Sequence, residues 1–169
     1  MTDLHPSPPA AADERTTLVQ FLDYFRSVFL RKVEGLDDDQ ARVRVSPSTI
    51  DLLGMTRHLA DVERWWFRGA FANEVTTAIY ESETDPDLDW HHSPGDTLAD
   101  ALQHWHEEVA RASEIVDATP DLDALGDLDT GRRGRVSLRW VLVHMIEEYA
   151  RHCGHADIVR EAIDGTTGD

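Results

Sequence analysis

Apolar residues recur along this chain at helical spacing in four stretches, and no stretch alternates apolar and polar positions as a half-buried strand would. The first runs from about Asp13 to Glu34, where Leu18, Phe21, Leu22, Phe25, Val28, Phe29 and Val33 follow the i, i+3, i+4, i+7 pattern. Gly35 closes it, as a residue free to take positive φ does. Asp37-Asp38-Asp39-Gln40-Ala41 reads as a short extra turn. The second begins near Ser46-Pro47-Ser48, with Pro47 in the first turn where its missing N–H costs little, and reaches about Ala72. Leu52, Met55, Leu59, Val62, Trp66 and Phe67 form its apolar face, interrupted by Gly54 and Gly69.

The third begins near Asp96-Thr97, where Asp100 completes a weak capping box, and Pro120 ends it. Leu98, Ala101, Leu102, Trp105, Val109, Ala112, Ile115 and Val116 make its stripe. The fourth starts at Ser137 and ends at Gly165, with Leu138, Leu142, Met145, Tyr149, Ala156 and Ile163 turned inward. Four long amphipathic segments predict an all-α four-helix bundle. The domain is expected over residues 13–165, after a flexible Pro-, Ala- and Ser-rich tail of residues 1–12. Long polar connections at 73–95 and 118–136 argue against simple up-down-up-down order and leave the topology open.

Composition narrows the function. The chain has 169 residues, enough for one domain with its own core. Its net charge of −17 repels phosphate backbones and anionic lipid surfaces, so neither nucleic acid nor membrane is an expected partner. The one basic run, Arg132-Arg133-Gly134-Arg135, reads as a solvated turn. A single cysteine, Cys153, excludes an intramolecular disulfide. It reads as a small buried packing residue. No secretory leader and no membrane-length apolar run is visible, so a cytoplasmic location is expected.

The chemistry gathers on the fourth segment. At about 100° per residue, with His144 at zero, His155 falls near 20°, Glu148 near 40° and His152 near 80°. The apolar stripe centres near roughly 110° by the same pitch, so this polar arc borders the core. Polar groups in that position are costly unless paired, and a cation pairs imidazole and carboxylate together. Glu148 and His152, one turn apart, reach a single ion. A third ligand from another helix is needed, and His58 is the candidate, because Met55, His58, Val62 and Trp65 share one line of the second segment. Nitrogen and carboxylate donors suit Zn best, with Ni or Fe also compatible.

Elsewhere, His91 and His92 sit in the acidic loop Asp85-Pro-Asp-Leu-Asp-Trp90 and read as solvated; His104 and His106 read as surface residues. Taken singly, His58 or the Glu148/His152 pair has a plain alternative: a hydrogen-bonded residue at a helix interface.

The run His58-Leu-Ala-Asp-Val-Glu63-Arg-Trp65 resembles the second-helix signature of the DinB/YfiT-like superfamily. The run Val141 to Gly165, containing Glu148-Tyr-Ala-Arg-His152-Cys-Gly-His155, resembles its mini-circle or DinB-like branch. Together the likeness covers nearly the whole chain after residue 12. It implies a four-helix bundle and a metal held by His58, Glu148 and His152. Other branches carry His where Glu148 stands and Gln where His155 stands. Mycothiol-dependent maleylpyruvate isomerase is similar in having a His-Glu-His set. Characterised relatives use a low-molecular-weight thiol, mycothiol or bacillithiol.

The resulting expectation is a metal-dependent enzyme acting on a small molecule, a thiol S-transferase in the first instance. His155 and His144 are its candidate general acid or base, and Trp65 and Trp90 its candidate contacts for the bound cofactor, Trp90 across the pocket mouth. Glu63 or Asp61 is expected to orient His58. The alternatives are a metal-dependent hydrolase and a non-catalytic binding or dimerising bundle; exposed aromatic residues on the helices would favour a homodimer.

Overall fold

Each helix starts on a side chain that replaces its missing carbonyl partners. A computed structural model describes residues 7–45, 47–74 and 77–168. Helix α1 spans Glu14–Val33 behind the N-cap Asp13, whose carboxylate accepts from the Thr16 N–H. The short α2, Asp38–Ala41, carries a complete capping box between Asp37 and Gln40. Helix α3 covers Leu52–Glu63 and continues through Arg64–Phe71 with wider, π-helical winding. Helix α4 spans Leu98–Ala118 from the N-cap Thr97, and α5 spans Leu138–Asp164 from Ser137. Gly165 stops α5 at φ 77°, where a side chain would be strained. Among the described residues there is no strand, only an isolated bridge between Leu125 and Ser137. Of the expected tail, residues 1–6 lie outside the described residues.

The second long helix starts later than its Pro47 suggests. Asp51 is the N-cap, and its fully buried carboxylate accepts from Gly54 N–H at 2.8 Å, Arg44 Nε at 2.8 Å and His92 Nε2 at 2.9 Å. Three donors on one carboxylate fix the helix start more firmly than a proline in the first turn. Pro47 lies in a preceding turn, and Ser46, the expected start, lies outside the described residues. His92 therefore tucks its side chain in and is not solvated. His104 is likewise half-buried, its Nδ1 2.6 Å from the Tyr80 hydroxyl. Nothing in the sequence pattern explains the π-helical winding after Glu63.

Ion pairs fix the helix directions. Glu14 meets Arg139 at the starts of α1 and α5, and Lys32 meets Asp157 near their ends, so these two run parallel. Arg57 meets Asp96, and Arg68 meets Glu108, so α3 and α4 also run parallel. Arg15 reaches carbonyls at the end of α4, making α1 and α4 antiparallel. The order is up-down-down-up. Two consecutive parallel helices need a connection that returns the length of the bundle, and residues 72–97 supply it.

Phe29, Leu52, Leu53, Met55, Leu59, Phe67, Leu138, Leu142 and Met145 are fully buried between the helices. A charged network crosses this core. Arg26 of α1 donates to both oxygens of Glu63 of α3, at 2.8 and 2.7 Å. Tyr149 of α5 donates to Glu63 Oε1 at 2.8 Å and accepts from Trp105 Nε1 of α4 at 2.7 Å. All four long helices thus share one hydrogen-bonded chain one residue away from Glu148.

Candidate metal centre

Helices α3 and α5 cross antiparallel, so His58 on one comes level with Glu148 and His152 on the other. One ligand-type atom from each of His58, Glu148 and His152 lies within 4.8 Å of the other two. The rings of His58 and His152 are 4.9 Å apart, edge to face. Glu148 Oε2 is 3.5 Å from His152 Nε2, and its Oε1 is 3.6 Å from Arg151 and 3.8 Å from His144 Nε2. These separations are at or beyond hydrogen-bond length, so the carboxylate has no tight partner among the described residues.

The surroundings orient this group. The loop residue Asp89 holds His58 Nδ1 at 2.8 Å, which leaves Nε2 as the ring's other nitrogen. Trp90 lies over His58 at 5.3 Å and beyond it reaches His152 at 6.5 Å between ring centres. Gly54 makes this approach feasible: a Cβ there would lie 2.9 Å from the Trp90 ring and 3.3 Å from the Asp89 carbonyl oxygen. His152 is buried, and its Nδ1 has no partner among the described residues. Burial, and then the neighbouring His58 and His155, hold its pKa down to about 3, so the imidazole is neutral and its lone pair available.

The donor set fits a divalent cation. Two imidazoles and one carboxylate converge, one buried nitrogen lacks a partner, and the carboxylate's nearest cation, Arg151, stands 3.6 Å away without a hydrogen bond. That is the composition of a three-ligand site with open positions.

The other expected residues take different places. His155 is half-buried, 5.7 Å from the His152 ring, with its own Nδ1 buried and unpartnered among the described residues. His144 is stacked against Trp140 at 4.9 Å and edge-on to Trp66 at 4.7 Å, and burial lowers its pKa. Trp65 is 46% exposed and lines a pocket with Asp61, Arg64, Ala78 and Glu81, none of them a member of the three-residue cluster.

Asp61 and Glu63 do not orient His58. Asp61 accepts from the backbone N–H groups of Ile79 and Tyr80, at 2.7 and 2.9 Å, and Glu63 belongs to the buried network. Asp89 takes that role from a loop that reads as merely acidic. The internal Gly54 is the one sequence signal of a close backbone approach there.

Cys153 is buried, with its thiol pushed up to about 12 by desolvation, and is not poised as a nucleophile. Among the described residues no helix is long and apolar enough to cross a membrane.

The family model described as mycothiol-S-transferase matches residues 17–165 of the chain. No curated protein matches it.

Proposed function

This chain belongs to the mycothiol-S-transferase family, one of the DinB-like families, and on that premise we propose that it joins a mycothiol-type thiol to a small electrophile, with a divalent ion held by His58, Glu148 and His152. The observation that carries the reading is the convergence of those three side chains from two helices. Zinc suits two imidazoles and a carboxylate best; nickel or iron is compatible. A bound divalent ion would act as a Lewis acid that favours the thiolate over the thiol at neutral pH.

The chain's own residues do the rest. Asp89 fixes the tautomer and ring direction of His58, as carboxylate partners of ligand histidines do. Glu148 supplies the negative charge that offsets a divalent cation. Trp90 shields the His58 side of the centre from water, which strengthens its electrostatics. His144 and His155 are the proposed acceptors of the thiol proton. His155 adjoins His152, and His144 adjoins Glu148. Burial keeps His144 neutral and therefore able to accept a proton. Trp65, exposed on α3, is proposed as a more distant contact for the thiol's polar body.

Metal analysis of protein purified without a histidine tag tests the centre. Near-stoichiometric metal is expected in the wild type and none in His152→Ala; full metal in that variant overturns the ligand set. Conjugation assays with and without mycothiol test the reaction. Turnover independent of the thiol would favour a metal-dependent hydrolase.

A further inference from the structure

Arg133 stands over the two indoles that pack on His144. Its guanidinium lies over two indole rings, 5.9 Å from the Trp66 centroid and 5.6 Å from that of Trp140. Both rings pack on His144, whose Nε2 faces Glu148. The guanidinium carbon is thus within about 10.5 Å of the His144 ring centre. In a chain of net charge −17, no carboxylate pairs with Arg133 among the described residues, and the side chain is exposed. Its neighbour Arg135, by contrast, is engaged by the Gly126 carbonyl and by Asp127.

An arginine in this setting has two uses. Stacking on two indoles favours one placement of the side chain. Its planar fork of N–H donors remains free, and that fork matches a carboxylate in two parallel hydrogen bonds. Trp140 itself is packed against His144 and Trp66 and lies under Arg133, so the guanidinium is the solvent-facing group of this cluster.

We propose that Arg133 is a specificity residue, which captures the carboxylate of an electrophilic co-substrate, with the electrophilic carbon directed towards His144 and Glu148. The inference rests on the thiol-transfer reading and deepens it by naming the class of the second substrate. In the reaction the thiolate sulfur forms a bond to the electrophilic carbon as the carbon–halogen bond of the probe breaks. Halide leaves with the electron pair, and the thiol proton passes to a base.

The test uses 4-(chloromethyl)benzoate and its uncharged analogue 4-(chloromethyl)benzamide, which differ in charge and share their reactive carbon. With mycothiol as donor, the wild type is expected to favour the carboxylate by kcat/KM. In Arg133→Gln that preference should fall at least tenfold, carried in KM, with partial recovery in Arg133→Lys. Calorimetric titration with unreactive 4-methylbenzoate, against 4-methylbenzamide, reads the same site without turnover; binding of the carboxylate should weaken at least tenfold in Arg133→Gln. Turnover with an unchanged preference in Arg133→Gln overturns the role of Arg133 and leaves thiol transfer standing. Binding of 4-methylbenzoate that depends on Arg133, with no turnover of either chloride, overturns thiol transfer and leaves the anion site standing. No difference between the two proteins in either measurement sinks the proposal.

Discussion

His58 Nδ1 lies 2.8 Å from Asp89 Oδ2, although 31 positions separate the two residues. The contact ties the returning loop to α3 beside Glu148 and His152. It links a length of irregular chain to the affinity of the proposed metal centre, and it can be broken without touching a ligand.

Asp89→Asn removes the negative charge on His58 while keeping the shape of the side chain. Loss of such a partner typically weakens metal binding about 10–100-fold. We expect a drop of that size in competition titrations of zinc against a chelator, with the helical circular-dichroism signal unchanged. Equal affinity in the two proteins would reduce Asp89 to a packing contact.

Gly54→Ala should weaken the same site from further away. In an exposed helix this change would stabilise by about 1 kcal/mol. Here the added methyl meets the Trp90 ring at 2.9 Å and the Asp51 carboxylate at 3.2 Å. The loop must shift, and it carries Asp89 with it. Zinc affinity is expected to fall several-fold while helix content is kept; unchanged affinity would mean that the loop yields freely.

Two tyrosines set an alkaline limit. Desolvation pushes Tyr80 up to about 12 and Tyr149 well above its ordinary value, the latter reinforced by Glu63. In the unfolded chain both ionise near pH 10. Below that pH both states keep their protons and stability is complete. Above it the unfolded chain releases protons that the fold retains, so stability falls as pH rises from about 10 to 12. Urea unfolding across that window should show a decline that flattens in Tyr80→Phe and in Tyr149→Phe. A decline equally steep in both variants would refute the assignment.

Periodicity made much of this legible. The four long helices follow their apolar stripes, and Gly165, Thr97 and Ser137 mark boundaries that local chemistry dictates. Glu148 and His152 announce themselves because one helical turn separates them, and His58 because it borders an apolar face. Asp51 was hidden behind the conventional signal of Pro47, since its strength comes from Arg44 and His92, which only the folded loop brings near. Asp89 was hidden for the same reason: it lies 31 positions from His58, and the loop closure that brings it to the ring is not written in a period. The long 73–95 connection hinted at unusual order, and the ion pairs then fixed it as parallel α3 and α4.

The buried Arg26–Glu63–Tyr149–Trp105 chain gives the sharpest stability prediction. Arg26 is buried and donates to both Glu63 oxygens, and Glu63 itself is fully enclosed. Removing one member of such a pair leaves a charge without compensation and costs about 3–5 kcal/mol, whereas exchanging both for apolar residues is often neutral. Glu63→Gln should therefore lower the urea-derived stability by about that amount. The double variant Arg26→Met/Glu63→Leu should recover most of it, apart from about 1 kcal/mol for the lost acceptor of the Tyr149 hydroxyl. The single and double variants also separate two roles. If the network serves only to avoid an unpaired charge, the double variant will bind zinc like the wild type. If it also sets the register of α5 against α3, the double variant will be stable yet bind zinc more weakly, because Tyr149 adjoins Glu148 and its hydrogen bond to Glu63 is the polar link that joins those two helices beside His58. A single variant as stable as the wild type would show that the charge on Arg26 is compensated by Asp23 alone, 3.0 Å away on the same helix.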